Sequence, residues 1–269
     1  MTDTASEGAA KPATSARIYD VFLGGTHNFP ADREAAAQTV AIFPMIATIA
    51  RTNRAFLQRA VRYVASQGVR QFLDVGSGIP TQGNVHEVVD EAIDGGRVVY
   101  VDIDPVAVSE SQELLQGNTR HAAIWGDLRD PRQILDHAQV RSVIDFSQPV
   151  GLLLVSVLHL IPGEVHEPVS TLVSALPSGS YVVYTHGLLD VSHEQYENSE
   201  AMADIYRQRT PTPLTLRPRH EIERFAEGLE LVPPGLTYIS SWRPDPQHPD
   251  EMADTPEMTG ILGCVARVP

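Results

Sequence analysis

A single cysteine, Cys264, supplies all the thiol chemistry of the 269 residues. That excludes an intrachain disulfide framework and any zinc site built on several thiolates, and it matches the usage of a reducing compartment. Lysine is equally scarce. Lys11 stands alone and every other basic residue is arginine, a bias that GC-rich coding explains. Positive charge is short altogether: 20 Lys and Arg face 34 Asp and Glu, a formal net charge of −14. This balance counts against a nucleic-acid backbone or an anionic membrane surface as partner, and it suits a cationic small molecule. Long apolar runs are missing too. The longest, Val150–Leu158, is interrupted by Gly151 and Ser156, whereas a membrane span needs ~20 residues. Residues 1–13 are mostly Ala, Thr, Ser and Glu and lack the apolar centre of a signal peptide. They are expected to be a disordered tail, and the protein is expected to be cytoplasmic. The rest is ordinary for a globular chain, 42% apolar and 20% charged, and long enough to bury a full core.

The chain carries no internal repeat. Residues 14–67 read as helical, with no convincing strand. After Gly68, short apolar runs alternate with amphipathic segments, the pattern of a parallel α/β sheet. The strand candidates are Gln71–Val75, Arg97–Val101, Ala122–Trp125, Val150–Val157 and Ser180–Thr185, followed by Leu236–Trp242 and Gly260–Val268 across a Pro- and Asp-rich loop. In the helix predicted over Pro44–Gln67, Ile46, Ile49, Ala50, Leu57, Ala60, Val61 and Val64 form one stripe. Asn53 sits in the middle of that stripe and Arg54 on its flank. Two readings of Asn53 are open. It can be a core amide tying down a loop, or a polar group aimed into a ligand cavity beneath the helix.

Phe72-Leu73-Asp74-Val75-Gly76-Ser77-Gly78-Ile79-Pro80-Thr81 is the most informative stretch. An apolar strand ends in an acid, then Gly-x-Gly opens a helix, as nucleoside and dinucleotide sites require. The second strand ends at Asp102-Ile103-Asp104-Pro105, with Asp102 following Gly78 by 24 residues. An acid about 20 residues on is where ribose hydroxyls are gripped; Asp104 suits a turn or a helix cap. The third strand ends Trp125-Gly126-Asp127-Leu128. Asp127 there can accept from an adenine amino group, while Ile103 and Leu128 flank the ring. Thr81 stands where a dinucleotide motif wants its third glycine, Pro80 removes an amide a pyrophosphate would use, and Asp74 would repel that pyrophosphate. A nucleoside with a cationic amino-acid tail fits better, which describes S-adenosylmethionine (SAM).

Asp-x-Gly-x-Gly, the second-strand acid and Gly-Asp-Leu together resemble the class I SAM-dependent methyltransferases. More closely, the chain is similar to a family of candidate SAM methyltransferases of high-GC filamentous bacteria, formerly catalogued as a domain of unknown function. The matching stretches are Ala16-Arg17-Ile18-Tyr19-Asp20, Leu23-Gly24-Gly25, Asn28-Phe29 and Asp32, then Asn53-Arg54-Ala55-Phe56-Leu57, residues 71–87, 99–105 and 126–131, Glu221-Ile222 and Trp242-Arg243-Pro244. The resemblance implies a Rossmann-like α/β fold, a seven-stranded, mostly parallel sheet with an antiparallel last strand. It implies an N-terminal helical cap over 14–67 and a SAM-binding domain over 68–269. It places Asp74, Gly76 and Gly78 at the methionine end of SAM, Asp102 at the ribose, Asp127 at the adenine, and Ser156 against the cofactor through its backbone; Ser77 is read as a donor of the cofactor loop.

Methyl transfer from a sulfonium is an in-line displacement that needs alignment and dryness more than strong acid–base help. His159 and His186, just past the fourth and fifth strands, are the candidate bases. Tyr19, Asn28, Phe29, Asn53 and Arg54 are candidates for the cap side of the pocket. No metal spacing is present, and Gly76-Ser77-Gly78 is not the nucleophile elbow of a hydrolase. Cys264, in a predicted strand, is expected to be a buried, inert thiol. The expected activity is methylation of a small molecule. The competing readings are a non-catalytic SAM-binding protein and an NAD-dependent Rossmann oxidoreductase. The oligomeric state is left open.

Overall fold

The computed structural model describes residues 12–81 and 83–269, without the side chains of residues 193–196. The tail expected over 1–13 thus lies outside the described residues except for Pro12 and Ala13, and Ala13 is buried among the first helices. Three helices come first: α1 (Ser15–Phe22), α2 (Pro30–Ile42) and α3 (Ile46–Ser66). Then follow β1 (Gln71–Val75), α4 (Val85–Ala92), β2 (Arg97–Asp102), α5 (Pro105–Leu114), β3 (His121–Trp125), α6 (Pro131–Asp136), α7 (Ala138–Val143) and β4 (Gly151–Leu154). The chain continues through α8 (His166–Ser174), β5 (Tyr181–Gly187), α9 (His193–Arg209), α10 (Arg219–Glu223), β6 (Glu230–Leu231), β7 (Thr237–Tyr238) and β8 (Ile261–Arg267). No described helix is long and apolar enough to cross a membrane.

The strands form one sheet in the order β3-β2-β1-β4-β5-β8-β6, with β7 also on β8. β1 to β5 run parallel, and β8 is antiparallel to β5, pairing Tyr181 with Arg267 through to Gly187 with Ile261. The sequence pattern predicts seven strands. The difference is at the edge, where β6 and β7 share one position beside β8 as two-residue pieces. Pro233 and Pro234 separate them, because proline cannot donate to a ladder. The sixth predicted strand, Leu236–Trp242, shrinks to Thr237–Tyr238 and turns into a 3-10 segment at Ile239–Ser241. The fourth stops at Leu154 rather than Val157, because Ser156 takes a positive φ of 57°.

Alternation along the strands divides the core in two. Leu73, Val75, Val99, Val101, Leu152, Leu154, Val182 and Tyr184 face α6, α7, α8 and α10. Phe72, Val98, Tyr100, Leu153 and Val183 face α3 and α4. The apolar stripe of α3 lies on this second face, where Phe56 and Tyr63 meet the buried Trp242 edge-on at centroid distances of 5.6 and 5.8 Å. Chain connections leave β1 and β4 in opposite directions, and this reversal opens a crevice at their carboxyl ends.

The first helices are tied to that crevice by charge. Thr14 caps α1, and Arg17, 4% exposed, forks between two acids. Its Nε donates to Asp32 at 2.9 Å and its Nη1 to Asp104 at 3.2 Å. Asp32 also accepts from the Phe29 amide at the start of α2. Asp104 caps α5 through the Val106 amide and accepts from the Thr14 hydroxyl. A charged pair this deep survives only with both partners present.

Candidate functional site

A cavity of about 600 Å³ occupies the crevice between the strand ends and α1, α3 and α9. One half is lined by the motif residues: Asp74 to Gly78 after β1, Asp102 to Val106 after β2, and Gly126 to Arg129 after β3. The other half is lined by side chains such as Phe22, Ile46, Ile49, Leu160, Met202 and Leu214.

Alternation explains the two central carboxylates. Asp74 lies two residues after Phe72, and Asp102 two after Tyr100, so both point to the α3 face. Asp74 accepts no hydrogen bond from the described residues. Burial pushes its pKa up to about 7; Arg54 pulls it back and Asp102 pushes it further. Asp102 is also raised by burial, to about 6, against the Asp104 and Gly78 amides. Those amides donate to its two oxygens at 2.8 and 2.7 Å, fixing the carboxylate plane.

The glycines are required by conformation and space. Gly76 (φ 77°) packs so closely that a Cβ would lie 2.3 Å from the Val157 side chain. Gly78 (φ 69°) is the opposite: a Cβ there would meet nothing within 4 Å and would project into open space. Such a bare, left-handed turn lets a ligand reach the backbone. Ser77 Oγ is turned back toward the Val101 carbonyl at 3.5 Å. Asp127 is gripped by Arg129, whose Nε lies 2.9 Å from both carboxylate oxygens. Ser156, in its left-handed turn, donates its amide to Thr185 Oγ1 at 2.9 Å.

On the cap side the structure divides the sequence candidates. Tyr19, Asn53 and Arg54 line the cavity. Tyr19 Oη donates to the Ala50 carbonyl and accepts from Asn53 Nδ2 at 3.1 Å. Asn53 thus ties α3 to helix α1 rather than to a loop, and it is among the residues that line the cavity. Its Oδ1, like Arg54 Nε, has no partner among the described residues. Asn28 and Phe29 do not line the cavity. Asn28 donates to Asp20 and Gly25, and the Phe29 ring lies against Arg17. They shape the cap's own turn, and Asp20 in turn accepts from Thr81 in the glycine loop at 3.3 Å.

The two candidate bases also separate. His159, on the 3-10 turn Leu158–Leu160, lines the cavity. Burial, with Arg217 adding, pushes its pKa down to about 4. His186 does not line the cavity, and it is corrected from a candidate base to a structural residue. It continues the Val182–Tyr184 row, so it points to the opposite face of the sheet. There it is fully buried, with Nδ1 on the Gly187 carbonyl at 2.7 Å and Nε2 on Arg217 at 2.8 Å. With both nitrogens occupied, it has none to offer a substrate. Cys264 is buried, and burial raises its pKa to about 12. No metal-binding cluster occurs among the described residues.

Two residues lining the cavity, Arg17 and Tyr206, receive no site role from the sequence. Arg17, like its buried partner Asp32, lies in a matched motif block. Tyr206 lies in a polar helix, and only the packing of α9 onto α2 brings it in.

These residues fit SAM. Two acids face the space, one at each end of a bare glycine turn, and two unpartnered polar atoms wait on α3. Comparison with known proteins points the same way. A family model described as S-adenosyl methyltransferase matches residues 2–269. A DUF574 family protein from Streptomyces avermitilis superposes with a TM-score of 0.90 at 37% identity, covering 97% of this chain and 99% of its own. A candidate methyltransferase from Thermobifida fusca gives 0.87 and 38%, covering 97% and 96%. The plantazolicin methyltransferase BamL, crystallised with a triazolic desmethylPZN analog and SAH, shares the fold at 12% identity and a TM-score of 0.52 over 95% of this chain and 96% of its own. A search of curated proteins gives no match. With fold, crevice and sequence in agreement, the chain belongs to the S-adenosyl methyltransferase family: it is a class I methyltransferase whose cofactor is SAM.

Proposed function

We propose that the protein methylates a small molecule bound inside the cavity beneath its helical cap. The observation that carries this is the cavity itself. At about 600 Å³ it falls in the range of small-ligand sites, and its motif-lined half leaves an apolar half over for a second molecule. The net charge of −14 supports a small acceptor over a nucleic acid or an anionic membrane.

When bound, SAM supplies an activated methyl group on a sulfonium, leaving S-adenosylhomocysteine (SAH) after transfer. The chain's residues do the rest. Asp74 is the counter-charge for the cationic amino-acid end, with the Gly76-Ser77-Gly78 backbone beneath it. Asp102, its plane set by two amides, accepts from the ribose hydroxyls. Asp127, oriented by Arg129, accepts from the adenine amino group between Ile103 and Leu128. The Ser156 turn closes the floor. Tyr19, Asn53 and Arg54 cover the site from the cap and keep water out, which strengthens each of these interactions.

Thermal-shift titration with SAM, SAH and NAD side by side tests the cofactor half of this reading. A ligand at about 100 times its Kd adds about 2.7 kcal/mol to native stability. Shifts with both S-adenosyl compounds and none with NAD are expected; a shift with NAD alone would overturn the assignments to Asp74 and Asp102. SAH release with a small-molecule acceptor tests the other half. SAM binding without turnover on any acceptor would leave a cofactor-binding protein without catalysis.

A further inference from the structure

The half of the cavity away from the motif residues has a distinctive charge pattern. Among the described residues, every carboxylate lining the cavity (Asp74, Asp102, Asp104 and Asp127) belongs to a strand end in the cofactor half. Every arginine lining it faces one of them or a neighbouring acid. Arg17 pairs with Asp32 and Asp104, Arg129 pairs with Asp127, and Arg54 is drawn electrostatically to Asp74 without an ion pair between them. What remains is mostly apolar, from Phe22, Ile46 and Ile49 on the cap to Leu160, Met202 and Leu214 opposite, interrupted by uncharged polar groups (Tyr19, Asn53, Ser15, Ser199, Tyr206 and Thr212) and by one imidazole, His159.

That imidazole is held without being used. Arg217, itself buried, donates to the carbonyls of Leu158, Ile161 and Gly163, at 3.0, 3.0 and 2.9 Å, and so clamps the turn that carries His159. The His186 ring lies edge-on to it at 5.7 Å. Yet no described residue hydrogen-bonds the His159 ring. Its Nδ1 is buried and unpartnered, and the residue lines the cavity. Burial keeps the ring neutral near pH 7. A neutral, clamped imidazole facing a mostly apolar chamber is a proton acceptor with no donor among the described residues.

Resting on the methyl-transfer reading, we propose that the acceptor is an uncharged, apolar molecule bearing an aromatic or enolic hydroxyl, and that His159 takes its proton. Among the described residues this half offers a carboxylate acceptor no cation other than Arg54, which is drawn to Asp74, and offers an ammonium no acid. A neutral hydroxyl needs only apolar walls and a base. In the step, the acceptor O–H bond breaks and its proton passes to His159 Nε2. The oxygen's electron pair forms the new O–CH3 bond, the S–CH3 bond breaks, and its pair stays on the sulfur of SAH. One positive charge is present before, on the sulfonium, and one after, on the imidazolium, which then releases its proton to water. Net charge in the chamber is conserved, while burial and Arg217 disfavour the imidazolium and so favour its prompt loss of the proton to water.

Calorimetric titration of the SAH-bound protein with 2-naphthol, 2-naphthoate and 2-naphthylmethylammonium tests the acceptor class. The naphthol is expected to bind at least about tenfold tighter than either charged analogue. Equal or tighter binding of a charged analogue, or binding of none of the three, would overturn the proposal while leaving SAM-dependent methyl transfer in place. Failure to bind SAH at all would instead sink the reading beneath it. For the base, His159→Asn is expected to lower kcat for 2-naphthol methylation by about 10²- to 10⁴-fold. Its Kd for SAH and its KM for naphthol should stay within about threefold. A kcat within about fivefold of the parent, or no methyl ether formed by the parent protein, would refute the assignment.

Discussion

Replacing Asp74 by asparagine should make the ligand-free protein more stable and the cofactor site worse. Asp74 is 5% exposed and accepts no hydrogen bond from the described residues, and its pKa rises from an ordinary 3.8 to about 7. The unfolded chain therefore releases this proton near pH 4, but the folded chain holds it until about pH 7. Between those values the folded state binds more protons, so native stability falls as pH rises, the reverse of a salt-bridged aspartate. The interval of about three pH units at 1.36 kcal/mol each gives a cost approaching about 4 kcal/mol at pH 8 and only about 0.5 kcal/mol at pH 4. A neutral amide at this position carries no such cost. Urea unfolding of both proteins without ligand should show the Asp74→Asn variant ahead by a few kcal/mol at pH 8, with the gap closing toward pH 4. Its SAM affinity should meanwhile drop by about 1.5–3 kcal/mol, the worth of a charged hydrogen bond, or roughly tenfold to over a hundredfold. A variant no more stable than the parent at pH 8, or a gap that ignores pH, would refute the reasoning. Affinity for SAM should also rise with pH through about 7 in the parent and stay flat in the variant.

Other substitutions isolate other parts. Arg17→Ala leaves Asp32 and Asp104 buried without their cation and should cost about 3–5 kcal/mol in denaturant unfolding; a loss below about 1 kcal/mol would mean that the cap is held by packing alone. Gly76→Ala puts a Cβ into Val157 at a positive φ, and should cost about 1–3 kcal/mol and abolish the thermal shift with SAH; an unchanged shift would show that the turn can move. His186→Asn unpairs Arg217 and should cost about 1–3 kcal/mol of stability with SAH affinity preserved; a stable variant with weakened SAH binding would return His186 to the site.

Residues whose placement follows from local spacing were legible in the sequence, and those whose placement follows from packing were not. Asp74, the glycine turn, Asp102 and Asp127 each sit at the end of an apolar run, so their convergence on one crevice follows from parallel strands alone. His186 also sits at a strand end, but one alternation step decided its face. Its run, Val182-Tyr184-His186, points away from the cap, while Val183 and Thr185 point toward it. That parity could be read only once one strand's core face was fixed. Asn28 and Phe29 belong to the cap but sit one layer away from the cavity, because a turn's side chains can face either way. The clamp of Arg17 on Asp32 and Asp104 spans 15 and 87 residues, and no periodicity encodes it. The prolines at 233 and 234 were visible, but that they would split one edge strand into two followed only from the ladder on β8.

The long α3 helix has one more implication, for the order in which the molecule is made. It is completed at Ser66, yet some of its partners arrive last. Phe56 and Tyr63 pack on Trp242, Arg59 reaches the Trp242 and Ile239 carbonyls and Asp250, and Arg51 reaches Glu251. During synthesis the helix can pack on β1 and α4 soon after it emerges, but the side that carries Phe56, Arg59 and Tyr63 must wait for Trp242 and Asp250. That side of α3 and the last hairpin therefore close as a single late event, and a nascent chain that stalls before Trp242 is the form most exposed to aggregation and most dependent on a chaperone.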